Sequence, residues 1–217
     1  MSYESPTREA HVGHSTLEPV SAQTYSWMRN LLIILCGSLV VAVCAHVTVP
    51  LAITPVPITL QDFAVMALGL LLGPRLVMFT MLAYLAEGAA GLPVFAPDPL
   101  GLTGVAHILG PTGGYLMAYP TVAVVISYLW QNGEKSYLGA LVSAGAGNLI
   151  LLTLGGLWLG LNTHISPQAV LAEGVMPFLP GDALKIVMAA FLGFEWSRMR
   201  PAKRRPLPII LPPTDSE

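Results

Sequence analysis

A chain of 217 residues with 54% hydrophobic and only 10% charged residues is more apolar than an ordinary soluble domain, which runs at about 45–50%. Its length gives room for about six membrane spans of about 20 residues each, in keeping with a mean hydropathy of +0.67. A formal net charge of -2, with no basic stripe interleaved with aromatics, speaks against nucleic acid as a partner.

Residues 1–26 are polar, contain Pro6 and Pro19, and predict a mostly disordered tail. Arg29 followed by Leu31 to Ala45, with Val43-Cys44-Ala45, has the outline of a signal peptide. The apolar run continues through Val47, Val49 and Leu51 and more such runs follow, so it reads as a first span over 27–50. Cys36 and Cys44 both lie in this run and read as small apolar fillers, not as a disulfide or ligand pair. A second helix is expected over 60–73, ending at Gly73-Pro74, and a third over 75–90, ending at Gly91-Leu92-Pro93. Both are short for a bilayer. A Pro- and Gly-rich loop follows, then a fourth helix over 112–130 that ends at Gln131-Asn132-Gly133, and a fifth over 136–161. Residues 167–179 suggest a short interfacial helix, and a sixth span runs from Gly181 to Arg198. A basic, then Pro-rich tail occupies 199–217.

Charge sets the expected orientation. With six spans, the tails, Arg75 and Lys135 share one side, and the loops 51–59, 91–111 and 162–180 contain no Lys or Arg. This positive-inside pattern predicts an all-α membrane protein of six transmembrane helices, both termini cytoplasmic. Lys185 is the one basic residue left inside an apolar run. A charge at mid-span costs roughly 2.5–3.5 kcal/mol on insertion scales, so such residues tend to face a cavity or a partner.

Asp182 lies three residues before Lys185, on the same helical face. Two readings of the pair are open: a helix-start carboxylate with a structural ion-pair partner, or a ligand-reading acceptor and donor. Gln61 follows the Pro-rich outer loop and can bond a ligand or its own helix start, while Asp62 beside it reads as a helix-start charge. Asn148 is a strongly polar residue inside the fifth span, where it can line a pocket or glue helices. Tyr84 and Tyr115 suit either a ligand or the membrane interface. Gly110-Pro111-Thr112-Gly113-Gly114 lacks the Gly-Lys-Ser/Thr ending of a P-loop, so Gly113 serves close backbone approach to a ligand or tight packing. His46, His107 and His164 match no local metal motif. Glu87 reads as a rim carboxylate. Ser38 and Ala42 form a small-xxx-small pair that lets another helix approach. There is no His-Glu-x-x-His, no Gly-x-Ser-x-Gly and no pair of catalytic acids on one span, which argues against an intramembrane enzyme; no cofactor is implied.

Five blocks in order carry a family resemblance. They are Pro55-Val56-Pro57-Ile58-Thr59-Leu60-Gln61; Gly69 to Arg75; Tyr84 with Gly88 to Phe95; Gly110 to Leu116; and Pro177 to Asp182 with Lys185. Together, over about residues 30–198, they resemble the BioY family, the biotin-binding S component of energy-coupling-factor (ECF) transporters. The resemblance implies six helices with the vitamin site near the outer side, an ECF transmembrane subunit as partner, and a pair of cytoplasmic ATPase subunits. It implies multi-pass residence in the cell inner (plasma) membrane. Asp182 and Lys185 match the motif that carries the main polar ligand contacts, with Gln61, Asn148, Tyr84, Gly113 and Tyr115 as further candidates. Ser38 and Ala42 match a first-helix surface that docks the membrane partner, with internal packing the alternative. The implied function is high-affinity biotin uptake, capturing biotin outside and releasing it inside. A stand-alone biotin carrier, or an S component for another vitamin, remains the alternative.

Overall fold

The structure, a computed structural model, describes the backbone of residues 20–199 and the side chains of residues 26–199. Expectations for the tails at 1–19 and 200–217 lie outside the described residues. Helix α1 (Val20–His46) begins inside the stretch expected to be tail and stops before Pro50. Beyond it, β1 (Thr48–Val49) pairs antiparallel with β2 (Ile58–Thr59), Thr48 opposite Thr59. The Pro55–Pro57 segment is thereby folded into a small hairpin, which the sequence reading did not anticipate.

Helix α2 (Gln61–Leu71) and helix α3 (Pro74–Ala89) are separated where expected. Gly73 is extended, and Pro74 takes the first helical position, where a missing N–H costs nothing. After α3, Gly91 at φ +90° turns the chain in a conformation that disfavours a side chain. The loop beyond it contains a short helix, α4 (Gly104–Leu109), where only irregular chain was expected. Helix α5 (Gly113–Asn132) ends at Gly133, and its last turn is tied by the Lys135 ammonium, which donates to Trp130 O. Ser136 caps α6 (Tyr137–Thr163) by accepting from Gly139 N, and Ser166 caps α7 (Pro167–Gly174) by accepting from Ala169 N. Helix α8 (Leu179–Met199) follows, bent 52° from α7.

Helix α2 sits in the middle and touches α1, α3, α5, α6 and α8. At about 1.5 Å per residue its 11 residues cover only about half of a bilayer core of about 30 Å. Two described helices are long and apolar enough to cross a membrane alone, within Ser26–His46 and Tyr137–Thr163, and the bent α7–α8 pair makes a third. The outer surface is correspondingly apolar, with Leu32, Leu39, Leu149, Leu161 and Phe191 all exposed. Lipid gives helices no hydrophobic reason to associate, so close packing must hold them. Glycines supply it: a Cβ on Gly147 would lie 2.3 Å from Ile126, and one on Gly193 would lie 2.8 Å from Leu70. The interior holds what lipid would reject, including Asp62, Asn148, Asp182 and Lys185.

Candidate ligand-binding site

Three charged side chains converge inside the bundle. Lys185, in the second turn of α8, donates to both Asp62 oxygens at 2.9 and 2.8 Å. It also reaches Asp182 Oδ1 at 3.3 Å, one turn earlier on the same helix. Asn148 Nδ2 on α6 donates to Asp182 Oδ2 at 3.1 Å, so Asp182 is held from two helices. The three charged side chains are 8%, 11% and 4% exposed, so this is an interior ion cluster. Removing such charges from water costs several kcal/mol per ion, and only good geometry repays it. Ionised, two carboxylates and one ammonium (−2 + 1) leave one net negative charge.

The cluster forms the buried end of a cavity of about 620 Å³, its open mouth included. Its walls are apolar, with Val56, Leu116, Leu151, Leu152 and Phe178. At the rim stand Pro97 and Asp98. Leu100 N and Leu102 N donate to Asp98 Oδ1 at 2.7 and 3.4 Å, which turns the rim loop. An apolar slot with a few converging polar groups at one end is the usual form of a small-molecule site.

A second network braces one wall. Gln61 Nε2 donates to Tyr84 Oη at 2.8 Å, and Tyr84 Oη donates to Val94 O at 3.0 Å. The Tyr84 ring meets Phe95 edge-on at 5.4 Å, and Phe95 packs 5.1 Å from His107. Gly88 makes room, since a Cβ there would lie 2.0 Å from the Phe95 ring. The loop after α3 is thus fastened to α2 and α4.

The structure brings four of the candidates to the cavity: Asp182, Lys185, Gln61 and Tyr115 line it. Tyr115 donates its hydroxyl to Gly174 O at 2.6 Å, which leaves its ring as the lining surface. Asn148 and Tyr84 stand behind the lining, each bonded to a residue that forms it. Gly113 is not part of the lining either. A Cβ there would fall 1.7 Å from Ile108 O, so the glycine is required for packing against α4. Ser38 and Ala42 are 1% and 6% exposed and face inward. Ser38 Oγ donates to Glu87 Oε1 at 2.9 Å, joining α1 to α3. In this arrangement neither residue presents a surface, as the internal-packing alternative describes. It also gives Glu87 a partner inside the bundle.

Asp62, given only a local role by the sequence, lines the cavity and pairs with Lys185. A lone acid heading an apolar helix has a sufficient local explanation, and its partner is remote. Thr112, Tyr115, Leu116 and Tyr119 share one face of α5 toward the cavity. Their i, i+3, i+4, i+7 spacing was readable as a stripe, although nothing local marked it as the ligand side. His107 also lines the cavity and bonds Leu102 O through Nδ1 at 3.1 Å. Among the described residues, no group of three or more His, Cys, Asp or Glu is arranged to hold a metal ion.

These features define a helical membrane protein whose interior holds a cavity built around buried ions. The chain belongs to the BioY family, whose sequence pattern matches residues 14–202. It is 40% identical over 145 residues to a probable biotin transporter BioY of Pyrococcus horikoshii, covering 66% of this chain and 82% of that one. It is 35% identical over 173 residues to the biotin transporter BioY of Thermotoga maritima, covering 79% and 98%. The fold is similar to a crystal structure of the S component for biotin from an ECF-type ABC transporter. That match has a TM-score of 0.73 at 25% identity and covers 81% of this chain and 94% of the other.

Proposed function

We propose that this chain takes up biotin as the substrate-binding membrane subunit of an ECF-type transporter, capturing the vitamin outside and releasing it inside. The observation that carries the reading is the ion cluster of Asp62, Asp182 and Lys185 closing an apolar slot, in a chain of the BioY family. Biotin offers a ureido ring with two N–H donors and one acceptor oxygen, an apolar sulfur ring, an alkyl arm and a carboxylate. Carboxylate oxygens of Asp62 and Asp182 suit the ureido N–H groups, and the Lys185 ammonium suits the ureido oxygen. A cluster with net negative charge favours donors and repels a carboxylate, so the ureido head belongs there and the arm points to the rim. Gln61 and Tyr115 shape the slot beside it, and Asn148 holds Asp182 in place.

In this reading the six longer helices form a bundle in the cell inner membrane, α2 crossing only part of it, with Arg75 and Lys135 on the cytoplasmic side together with both termini. An ECF transmembrane subunit and two cytoplasmic ATPases supply the drive, in keeping with a chain that has no ATP-binding motif. Radiolabelled biotin should bind the purified protein, and Asp182→Asn and Lys185→Ala should each weaken binding at least about tenfold, or about 1.4 kcal/mol. Wild-type affinity in both variants removes the pair from the site. Uptake that is unchanged in cells lacking ATPase partners counts against obligate coupling and favours a stand-alone carrier. Reagent access to cysteines introduced at Glu134 and Leu100 tests the orientation, the first from inside only and the second from outside only.

A further inference from the structure

Thr112 occupies the N-cap position of α5, where a threonine hydroxyl ordinarily bonds a leading amide of the helix. Here it makes no such bond. Its Oγ1 is buried without a hydrogen-bond partner, although the residue is only 8% exposed and lines the cavity. A buried hydroxyl without a partner is uncommon and asks for one. The partner that is free to arrive at this place is the ligand.

Its identity follows from the layout of the cavity. Thr112 and Tyr119 both line it from α5, seven residues apart, or about 10 Å along a helix at 1.5 Å per residue. The ion cluster lines the same cavity as Thr112, with Leu116 and Tyr119 further along that face of α5. With all three groups ionised, the cluster carries one net negative charge. Thr112 stands at the head of a 20-residue helix, whose macrodipole favours an anion. Lys185 is the only Lys or Arg lining the cavity among the described residues, and both carboxylates of the cluster hold it. At the rim, Asp98 Oδ1 is taken up by two backbone amides.

We propose that the head of α5, with the Thr112 hydroxyl as donor, is the subsite for the ligand's carboxylate. The proposal rests on the biotin reading above and adds the residue that selects the free acid. A bicyclic head at the ion cluster leaves the four-methylene arm to carry the carboxylate to Thr112.

The test is calorimetric titration of the full-length protein in detergent with biotin and with biotinamide, in which a neutral amide replaces the carboxylate. Wild type should prefer biotin by about tenfold or more, as a charge-assisted hydrogen bond exceeds a neutral one. Thr112→Val should weaken biotin by about tenfold and biotinamide by less than about threefold, and Thr112→Ser should keep the wild-type preference. Equal weakening of both ligands by Thr112→Val assigns the hydroxyl a structural role and overturns the proposal, as does unchanged biotin affinity in that variant. Should Thr112→Val fail to fold, the wild-type comparison decides alone, because equal affinity for acid and amide also overturns it. A wild type that binds neither ligand fails earlier, at the biotin reading itself.

Discussion

Replacing Lys185 by Met keeps most of the side-chain volume and removes the charge between two carboxylates. Lys185 Nζ lies 2.8 Å from one Asp62 oxygen and 3.3 Å from Asp182 Oδ1, and none of the three side chains is more than 11% exposed. Removing one partner of a buried ion pair costs about 3–5 kcal/mol, because the other charge stays behind without compensation. In Lys185→Met two carboxylates stay behind, which puts this variant at the upper end of that range. Asp62→Asn is the instructive contrast. Lys185 keeps Asp182, Asp182 keeps Asn148, and the new amide oxygen can still accept from the ammonium. Its cost should be nearer the roughly 1–3 kcal/mol of one weakened buried hydrogen bond. For a chain of this size 1 kcal/mol moves the thermal midpoint by about 2–4 °C, so ligand-free protein in detergent should lose roughly 10–20 °C in Lys185→Met and clearly less in Asp62→Asn. Adding Asp62→Asn to Lys185→Met removes one stranded carboxylate, so the double variant should melt above the sum of the two losses. The reasoning fails if Lys185→Met melts within about 2 °C of wild type on that scale, or if Asp62→Asn is the more damaging change.

Two glycines separate a change at the cavity wall from an ordinary helix effect. A Cβ on Gly155 would lie 2.1 Å from the Tyr115 ring, whereas one on Gly145 meets nothing within 4 Å. Gly155→Ala should therefore displace the Tyr115 ring, cost about 1–3 kcal/mol in overpacking and reduce biotin affinity in titration. Gly145→Ala should bind as wild type and melt at the same temperature or slightly higher, as helical Gly→Ala changes gain about 0.4–1 kcal/mol. Tyr84→Phe deletes the hydroxyl between Gln61 Nε2 and Val94 O. A loss of about 1–3 kcal/mol should follow, with Gln61 left short of a partner. A melting temperature unchanged by Tyr84→Phe would show that this brace contributes nothing to the wall.

Element boundaries were legible wherever a backbone constraint wrote them. Gly73-Pro74 divides α2 from α3, and Gly133 ends α5, because proline lacks a donor and glycine leaves a helix cheaply. Asp182 and Lys185 were legible as a pair because the helix itself brings i and i+3 together. Asp62 was not, since its contact with Lys185 depends on how α2 and α8 cross. The Ser38–Ala42 pair announced a close approach without naming the approaching helix. Thr80 and Glu87 of α3 supply the answer, the Thr80 methyl lying 2.6 Å from where a Gly37 Cβ would stand. Gly113 stayed open between ligand and packing for a related reason: a glycine required by a neighbouring carbonyl, Ile108 O, looks in sequence like one required by a ligand. Its neighbour Thr112 carried no local signal, because its distinguishing property is a bond it does not make.

The span of chain between the two halves of the ion cluster gives biosynthesis an order. Lys185 follows Asp62 by 123 residues. At about 5–20 residues per second, the carboxylate of Asp62 exists for roughly 6–25 s before its countercharge leaves the ribosome. During that interval the acid at the head of α2 must find water or a proton, which keeps this short central helix near the surface or loosely seated among its neighbours. Arrival of α8 supplies the ammonium that lets α2 settle, so completion of the binding pocket and completion of the membrane-embedded fold become one event. A nascent chain halted before residue 185 should therefore remain open to proteases or chaperones at α2.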